Sequence, residues 1–450
     1  MKTVLVLAAL LGSALPRFDA SHIVASFGVV SDVHIDKPDN DVAGKFSSAL
    51  LQLRDEALKS DADGLDGLLV AGDLMNTPYS SEDNYVQADY FKALYEKVFD
   101  PREVPMVYTP GNHDVYKWWT SQTIAQSQHI SERLGADYFL TDLDMDAKRT
   151  LECRHCKVAG VHILCIVPVG ARPVVYTDEQ KQWLDATLAS VTKAEPGSYV
   201  LVLTHPMIYD TVYGSMLGDY WATEDLTPIL SKYPQAVTFG GHLHFPLNDP
   251  RSIWQGSFTA LGCGSVRYMA IEDGGYEHMK SKTVMKDNWE FSQGLLLQID
   301  RRGRIRLTRM DFHNRAAIGE PWILDKPSKK CKHLQRYSVE KRVKANSAPV
   351  LHDLGWEKSE GAYSAVFSRG DDDEFVHHYV LEVTLDGKQV VRKKILSDFY
   401  RTPQTSGMKD SWTELLGPLP EGDCTLTLTA EDSWGAVSEP LSVIIPVRNE

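Results

Sequence analysis

At 450 residues the chain is too long for one ordinary hydrophobic core and should divide into at least two folded units. Its composition, 43% hydrophobic and 10% aromatic, is that of a globular protein and excludes a disordered one. A formal net charge of −14 argues against sequence-independent nucleic-acid binding, which needs basic surface to neutralise phosphates.

Residues 1–20, MKTVLVLAALLGSALPRFDA, carry one Lys, an apolar run and then small residues. This is the layout of a secretory signal peptide, with Ala14 and Ala20 both ending plausible cleavage patterns. The protein is therefore expected outside the cytoplasm, secreted or periplasmic, and no later segment is apolar enough to span a bilayer. Six cysteines permit disulfides without defining a framework. Cys153 and Cys156 form a CxxC with no second one to close a zinc knuckle, so a disulfide, local or to another partner, is expected. No N-x-Ser/Thr sequon with a permitted middle residue is present.

An apolar run at 24–31 (VASFGVVS) reads as a buried strand and ends in Asp32-Val33-His34. A helical pattern through Phe46, Leu50, Leu53 and Leu58 follows, and then a short strand at 68–71 ends in Gly72-Asp73. A second helix is expected at about 84–99, and a strand at 104–108 leads to Gly111-Asn112-His113-Asp114. Further on, 198–203 leads into Thr204-His205, and 236–239 into Gly240-Gly241-His242-Leu243-His244. Alternating helices and buried-type strands indicate an α/β core, and open α/β sheets keep their sites at strand ends. One Asp after a strand is usually a turn former, and one His a satisfied polar side chain. Five strand ends in succession that each deliver a carboxylate, amide or imidazole point to a metal centre.

The blocks SDVH (31–34), GD (72–73), GNHD (111–114), TH (204–205) and GHLH (241–244) resemble the calcineurin-like metallophosphoesterase family. The similarity runs from about 21 to 314, with all five blocks in the family's order. It implies a sandwich of two mixed sheets flanked by helices, holding two divalent metal ions (Mn, Zn or Fe) at the strand ends. One ion would take Asp32, His34, Asp73 and His244, and the other Asp73, Asn112, His205 and His242. Asp73 would bridge them, since only a carboxylate has two anionic oxygens for two cations. His113 would stand beside the leaving oxygen as general acid or charge stabiliser, with Asp114 fixing its tautomer. The implied reaction is hydrolysis of a phosphate ester by a metal-bound hydroxide. Purple acid phosphatases place a Tyr three residues after the Asp of GD; here that position is Asn76, so a ferric–tyrosinate centre is not expected.

The motifs leave the alcohol open: phosphomonoesters, phosphodiesters and lipid head groups all suit such sites. Trp118 and Trp119 after GNHD, and Tyr209, Tyr213, Tyr220 and Trp221 after TH, either meet the substrate or pack their own loops. Arg172 and Arg267 are candidate phosphate partners; Arg154 and His155 read as surface. A non-catalytic binding or adhesion module of the same fold is the rival reading, and the filled ligand positions favour the enzyme.

After the last motif, strands are expected at 257–261, 294–299 and 305–312. The turn Asp300-Arg301-Arg302-Gly303 makes the last two a hairpin that closes the second sheet. Residues 326–346 are basic and read as a solvated linker, following an α/β domain over 21–325. Short alternating strands at 362–367, 376–385, 389–395, 423–430 and 441–447 suggest a β-sandwich over 347–450. It resembles a fibronectin type III or immunoglobulin-like module, a role of packing against or presenting the first domain.

Overall fold

A computed structural model describes residues 18–36, 41–60, 64–76, 81–114, 153–171, 173–216, 222–272, 282–284, 290–327, 335–401 and 408–448. The expected leader falls almost wholly outside them, as do Trp118, Trp119, Arg172, Tyr220 and Trp221. Among the described residues no helix is long and apolar enough to cross a membrane.

Very short ladders aside, the α/β part runs β1 (Ile23–Val30), α1 (Asp41–Lys59), β2 (Gly67–Ala71), α2 (Ser81–Tyr95), β3 (Met106–Thr109), β4 (Cys153–Val158) and β5 (Val161–Ile166). It continues with α3 (Asp178–Ala194), β6 (Val200–Leu203), β7 (Ala236–Gly240), β8 (Ile253–Gln255), β9 (Thr259–Gly262), β10 (Gln293–Asp300) and β11 (Ile305–Asp311). β1, β2 and β3 are parallel, with β10 antiparallel on the other edge of β1 and β11 beyond it. In the second sheet β5, β6, β7 and β9 are parallel, with β4 and β8 antiparallel at its edges.

The strands are near-continuous apolar runs because both of their faces are covered. Phe27, Val29, Leu69 and Ala71 face Leu201, Leu203, Val237 and Phe239 in the core between the sheets. Leu68 and Val70 point the other way, onto Phe46, Leu50 and Phe91 of α1 and α2. On the second sheet, Val200 and Val202 turn out onto Leu184 and Leu188 of α3. The result is helix, sheet, sheet, helix, as the sequence motifs imply. α3 begins at a capping box: the Thr177 hydroxyl accepts from the Gln180 N–H, and the Gln180 side chain accepts from the Thr177 N–H.

Three expectations change. The 300–303 hairpin joins β10 to β11 in the first sheet, against β1, and does not close the second. Among the described residues no disulfide forms at Cys165, Cys263 or Cys424, nor between Cys153 and Cys156. On β4 they stand three residues apart, so they project from opposite faces. Cys153 packs toward α3 while Cys156 lies in the core between the sheets, which rules out a bond between them. The linker, finally, is not solvated throughout. Tyr337 hydrogen-bonds Gln255 and Ile323, and a short helix α4 (Val339–Ala345) follows it.

The carboxy-terminal part is all β: β12 (Gly355–Ser359), β13 (Ala362–Ser368), β14 (Val376–Leu385), β15 (Lys388–Leu396), β16 (Ser411–Gly417), β17 (Gly422–Asp432) and β18 (Leu441–Val447). A three-stranded sheet, β12-β13-β16, faces a four-stranded one, β15-β14-β17-β18. Inward residues such as Phe367, Tyr379, Trp412, Leu426 and Ile445 fill the space between. Asp386 (φ 50°) and Gly387 (φ 73°) turn β14 into β15 with both central residues left-handed, as the tightest hairpins require.

Sandwich and α/β part share a small core of their own: Met269, Ile271 and Phe291 against Phe399, with Phe375, Leu396 and Tyr400 around it. Asn248 donates to Arg401 O across the junction, and the ring of His377 stands edge-on to Tyr213 at 6.4 Å. His377 and His378 are buried neutral. Burial, with Arg251 beside the first and Lys394 beside the second, pushes each down to about 3. Below the ordinary histidine value of 6.5 the unfolded chain takes up protons that the folded chain refuses. Stability contributed here is therefore complete above about 6.5 and declines as pH falls toward about 3.

Two measurements check this junction. Phe399→Ala should destabilise by about 3 kcal/mol, the scale for deleting a buried Phe, and scanning calorimetry should then resolve the two parts as separate transitions. The melting temperature should fall more steeply with acid in the parent than in His377→Phe; parallel pH profiles would remove the histidine as the cause.

Candidate metal centre

The carboxyl ends of β1, β2, β3, β6 and β7 meet where the two sheets converge, and every residue named as a ligand from sequence lies there. Backbone hydrogen bonds lock the loops to one another: Asp32 N–H to Gly72 O, His34 N–H to Asp73 O, Gly241 N–H to His205 O, and Cys263 N–H to Gly240 O. The local backbone is strained. Asp32, His34, Asp73, His242 and His244 all adopt φ between 50° and 69°, a region few non-glycine residues occupy. Such conformations cost on the order of 1–3 kcal/mol each and persist where the surroundings over-determine them.

Side chains complete the cluster. His244 Nε2 lies 3.0 Å from Asp32 Oδ1 and 3.3 Å from His34 Nε2. His205 Nε2 lies 3.2 Å from Asn112 Oδ1, 3.2 Å from His242 Nδ1 and 3.3 Å from Asp73 Oδ2. Two tautomers follow from the remaining ring nitrogens. His205 Nδ1 donates to Ala71 O at 2.9 Å, and His244 Nδ1 donates to Tyr268 O at 3.0 Å. In the neutral imidazoles each Nε2 is then a bare lone pair facing carboxylate, amide or imidazole acceptors. Acceptors that converge on acceptors repel unless a cation sits among them, so this donor set fits metal ions. Protonation tells the same story. Burial opposes a charge on His205, yet Asp73 and Asp32 push it up to about 9: the cluster draws positive charge into itself. Asp32, despite burial, is held well below the usual carboxylate range by His244, His205 and His34.

The donor atoms fall into overlapping groups, each within 4.8 Å: Asp32, His34 and His244; Asp73, His205 and His242; and His34, Asp73 and His113. Asp73 and His34 each belong to two of them. Oxygen and imidazole donors without thiolate suit Mn, Zn or Fe. Two divalent ions set against the carboxylates of Asp32 and Asp73 would leave an excess of about +2 that attracts an anion.

His113 borders the cluster. Its ring meets His34 edge-on at 4.6 Å, its backbone N–H donates to Asp73 Oδ1 at 2.7 Å, and burial holds its pKa below the ordinary value. Asp114, the next residue, is buried. Its two carboxylate oxygens accept from the backbone N–H groups of Met75 and Gly111, so it clamps the GD loop to the GNHD loop. Burial and the nearby Asp73 raise it to about 7.

Two glycines are required by close approach. A Cβ on Gly241 would lie 1.8 Å from Ser31 Oγ and 2.6 Å from Asp32 Oδ2; one on Gly111 would lie 2.2 Å from Asp73 Oδ1. The motif glycines are thus the space in which the ligands sit.

Beyond the motifs, the segment after β9 completes the wall. Arg267 donates from its backbone to Asp32 O, and its guanidinium reaches Asn76 Oδ1 at 2.5 Å. Asn76, at the position of the purple-phosphatase tyrosine, also donates to Asp36 Oδ2. The ring of Tyr268 lies 4.2 Å from that of His244. Sequence reasoning missed Tyr268; its signal was a place five to six residues beyond another parallel strand end. Tyr209 and Tyr213 pack their own loop: Tyr213 is buried against Phe245 at 4.6 Å, and Tyr209 joins the core under α3.

Residues 25–246 match the family described as calcineurin-like phosphoesterase. No curated protein matches the chain by sequence. Among solved structures it is similar to a purple acid phosphatase from yellow lupin seeds, at 14% identity and a TM-score of 0.45, over 67% of this chain and 53% of that one. The overlap thus spans about half of the lupin protein's length. It is also similar to the anchor in the inner membrane complex of Plasmodium (14% identity, TM-score 0.41, 68% of this chain and 90% of that one). A third is a 5'-nucleotidase precursor from Thermus thermophilus (16% identity, TM-score 0.32, 67% and 55%). Likeness at this level says nothing about substrate.

Metal analysis tests the geometry. Asp73→Asn should release both ions together, and Gly241→Ala should lower metal content while the fold, read by circular dichroism, survives. Two ions still bound to Asp73→Asn would remove the bridge.

Proposed function

We propose that the chain is a calcineurin-like phosphoesterase that hydrolyses phosphate esters at a dinuclear divalent-metal site. The observation that carries this reading is the convergence of Asp32, His34, Asp73, Asn112, His205, His242 and His244, within the matched span 25–246. When bound, a pair of divalent ions lowers the pKa of a water and draws in the negative oxygens of a phosphate. The protein's own residues hold that chemistry in place. Asp32 and Asp73 keep the site from being over-charged, and the Nδ1–H bonds of His205 and His244 aim their lone pairs inward. Apolar walls on both sides of the sheet junction keep the local dielectric low, which strengthens every charge interaction in it.

His113 is assigned the leaving oxygen. Its ring borders both Asp73 and His34, and that position beside the cluster supports the assignment. Arg267 is assigned a non-bridging phosphate oxygen. It lies close enough to His34 for its charge to act on that imidazole, and a guanidinium suits planar, bidentate recognition. Export is part of the proposal and rests on residues 1–20; protein recovered outside the cell should begin after Ala14 or Ala20.

A panel of nitrophenyl phosphate mono- and diesters, assayed with each divalent metal, tests the reaction. Absence of turnover with every metal, in a protein that binds two ions, would sink the enzymatic reading. His113→Ala should lower kcat by ~10²-fold for alkyl leaving groups and much less for nitrophenolate, with both metals retained. Arg267→Ala should raise KM by roughly tenfold and change kcat less, the pattern of lost ground-state binding.

A further inference from the structure

A cavity of about 230 Å³ lies where the α/β part, the linker helix α4 and the β-sandwich meet. Its lining includes Trp254, Tyr337, Trp434, Arg251 and Arg342, with Val339 and Val343 at the rim, 46% and 49% exposed. The volume is about half again the ~150 Å³ that admits a benzene ring, which leaves room for a ring and one acid group.

The guanidinium of Arg342 sets the chemistry. It lies between two aromatic rings, 5.2 Å from the centre of Tyr337 and 5.2 Å from that of Trp434. Among the described residues only Nη1 is used by the fold, donating to Pro250 O at 2.6 Å and Ile253 O at 3.2 Å. Among the described residues no carboxylate forms an ion pair with it. The acids whose charge reaches it are engaged elsewhere. Asp249 is held by Arg251 through contacts of 2.6 to 3.2 Å, and Glu374 accepts from Trp434 Nε1 at 2.8 Å and from Ser433 Oγ at 3.3 Å. Burial lowers the Arg342 pKa, so this cation is held where its charge is least favourable. Asp210 is the one carboxylate on the lining, and it is exposed, where solvent screens it. Arg251 contributes a second guanidinium, neutralised by Asp249 and stacked at 4.1 Å on Tyr213.

We propose that this cavity binds a small organic anion, a carboxylate or phosphonate-type acid on a planar apolar body, with Arg342 as its charge partner. The acid group takes the Nε and Nη2 donors of Arg342, and the body lies among Trp254, Tyr337 and Trp434. Val339 and Val343 cover its outer edge. Because the lining comes from both folded parts and the helix between them, the ligand also fastens the junction. This site is separate in composition from the metal cluster, and it stands whether or not the hydrolytic reading holds.

Titration calorimetry on the full, metal-loaded chain tests the site with benzoate, phenylphosphonate, neutral benzamide and inorganic phosphate. Benzoate should bind at one site and phenylphosphonate should displace it there, benzamide should bind at least tenfold more weakly, and inorganic phosphate should not compete with benzoate. Arg342→Gln should weaken benzoate at least tenfold. Val343→Glu, an exposed rim change that leaves folding alone, should weaken it several-fold by like-charge repulsion, and it decides the matter if Arg342→Gln misfolds. Asp73→Asn should leave benzoate affinity unchanged. The assignment is overturned by benzamide binding as tightly as benzoate, by loss of binding in Asp73→Asn, by an unaltered affinity in Val343→Glu, or by no saturable benzoate binding below about 10 mM.

Discussion

Lone pairs that have to face one another are the constraint from which the rest of this structure follows. Bringing Asp32, Asp73, Asn112 and four imidazoles within hydrogen-bonding distance is unfavourable in the absence of positive charge, and burial makes it more so. The fold resists this with rigidity. Backbone hydrogen bonds tie the loop after β1 to that after β2 and the loop after β6 to that after β7, the carboxylates of Asp73 and Asp114 hold the loop after β3, and the sheets behind them are packed on both faces. Left-handed backbone at five ligand positions is the local strain that this scaffold over-determines.

Much of this is written in short local patterns. A strand that is apolar throughout, then a turn bearing Asp, Asn or His, is visible without knowing the partner strands. Parallel pairing then places all such turns at one end, because parallel strands share a direction. The tight hairpin at Asp386-Gly387 was legible for the same reason: its conformation depends on two adjacent residues.

What escaped the sequence depends on partners far along the chain. Whether the hairpin around 300–303 joins the first or the second sheet is decided by β1, far earlier in the chain, through the Ile23↔Asp300 to Val29↔Leu295 register. The CxxC looked like a disulfide because spacing alone says nothing of strand pleat, which sends Cys153 and Cys156 to opposite sides. Asp114 next to His113 suggested a carboxylate that fixes a tautomer; that the same carboxylate also meets the backbone amide of Met75, 39 positions earlier, was not legible. The basic linker hid its packed residues, Tyr337 and Arg342, beside Lys341 and Lys344, which are exposed.

The contact between the sandwich and the α/β part has a consequence for how this protein can be recombined. Met269 and Ile271, which meet Phe399, flank Ala270, whose N–H is bonded to the carbonyl of His244. One short stretch of chain thus carries the sandwich's footprint on its side chains and a ligand's backbone on its amide. A foreign sandwich grafted after residue 346 would preserve every ligand and still lack the counterpart of that footprint. Joining compatible halves would therefore demand a matched surface around 269–271 and 399, and the sandwich is inherited with its partner and not as an interchangeable cassette.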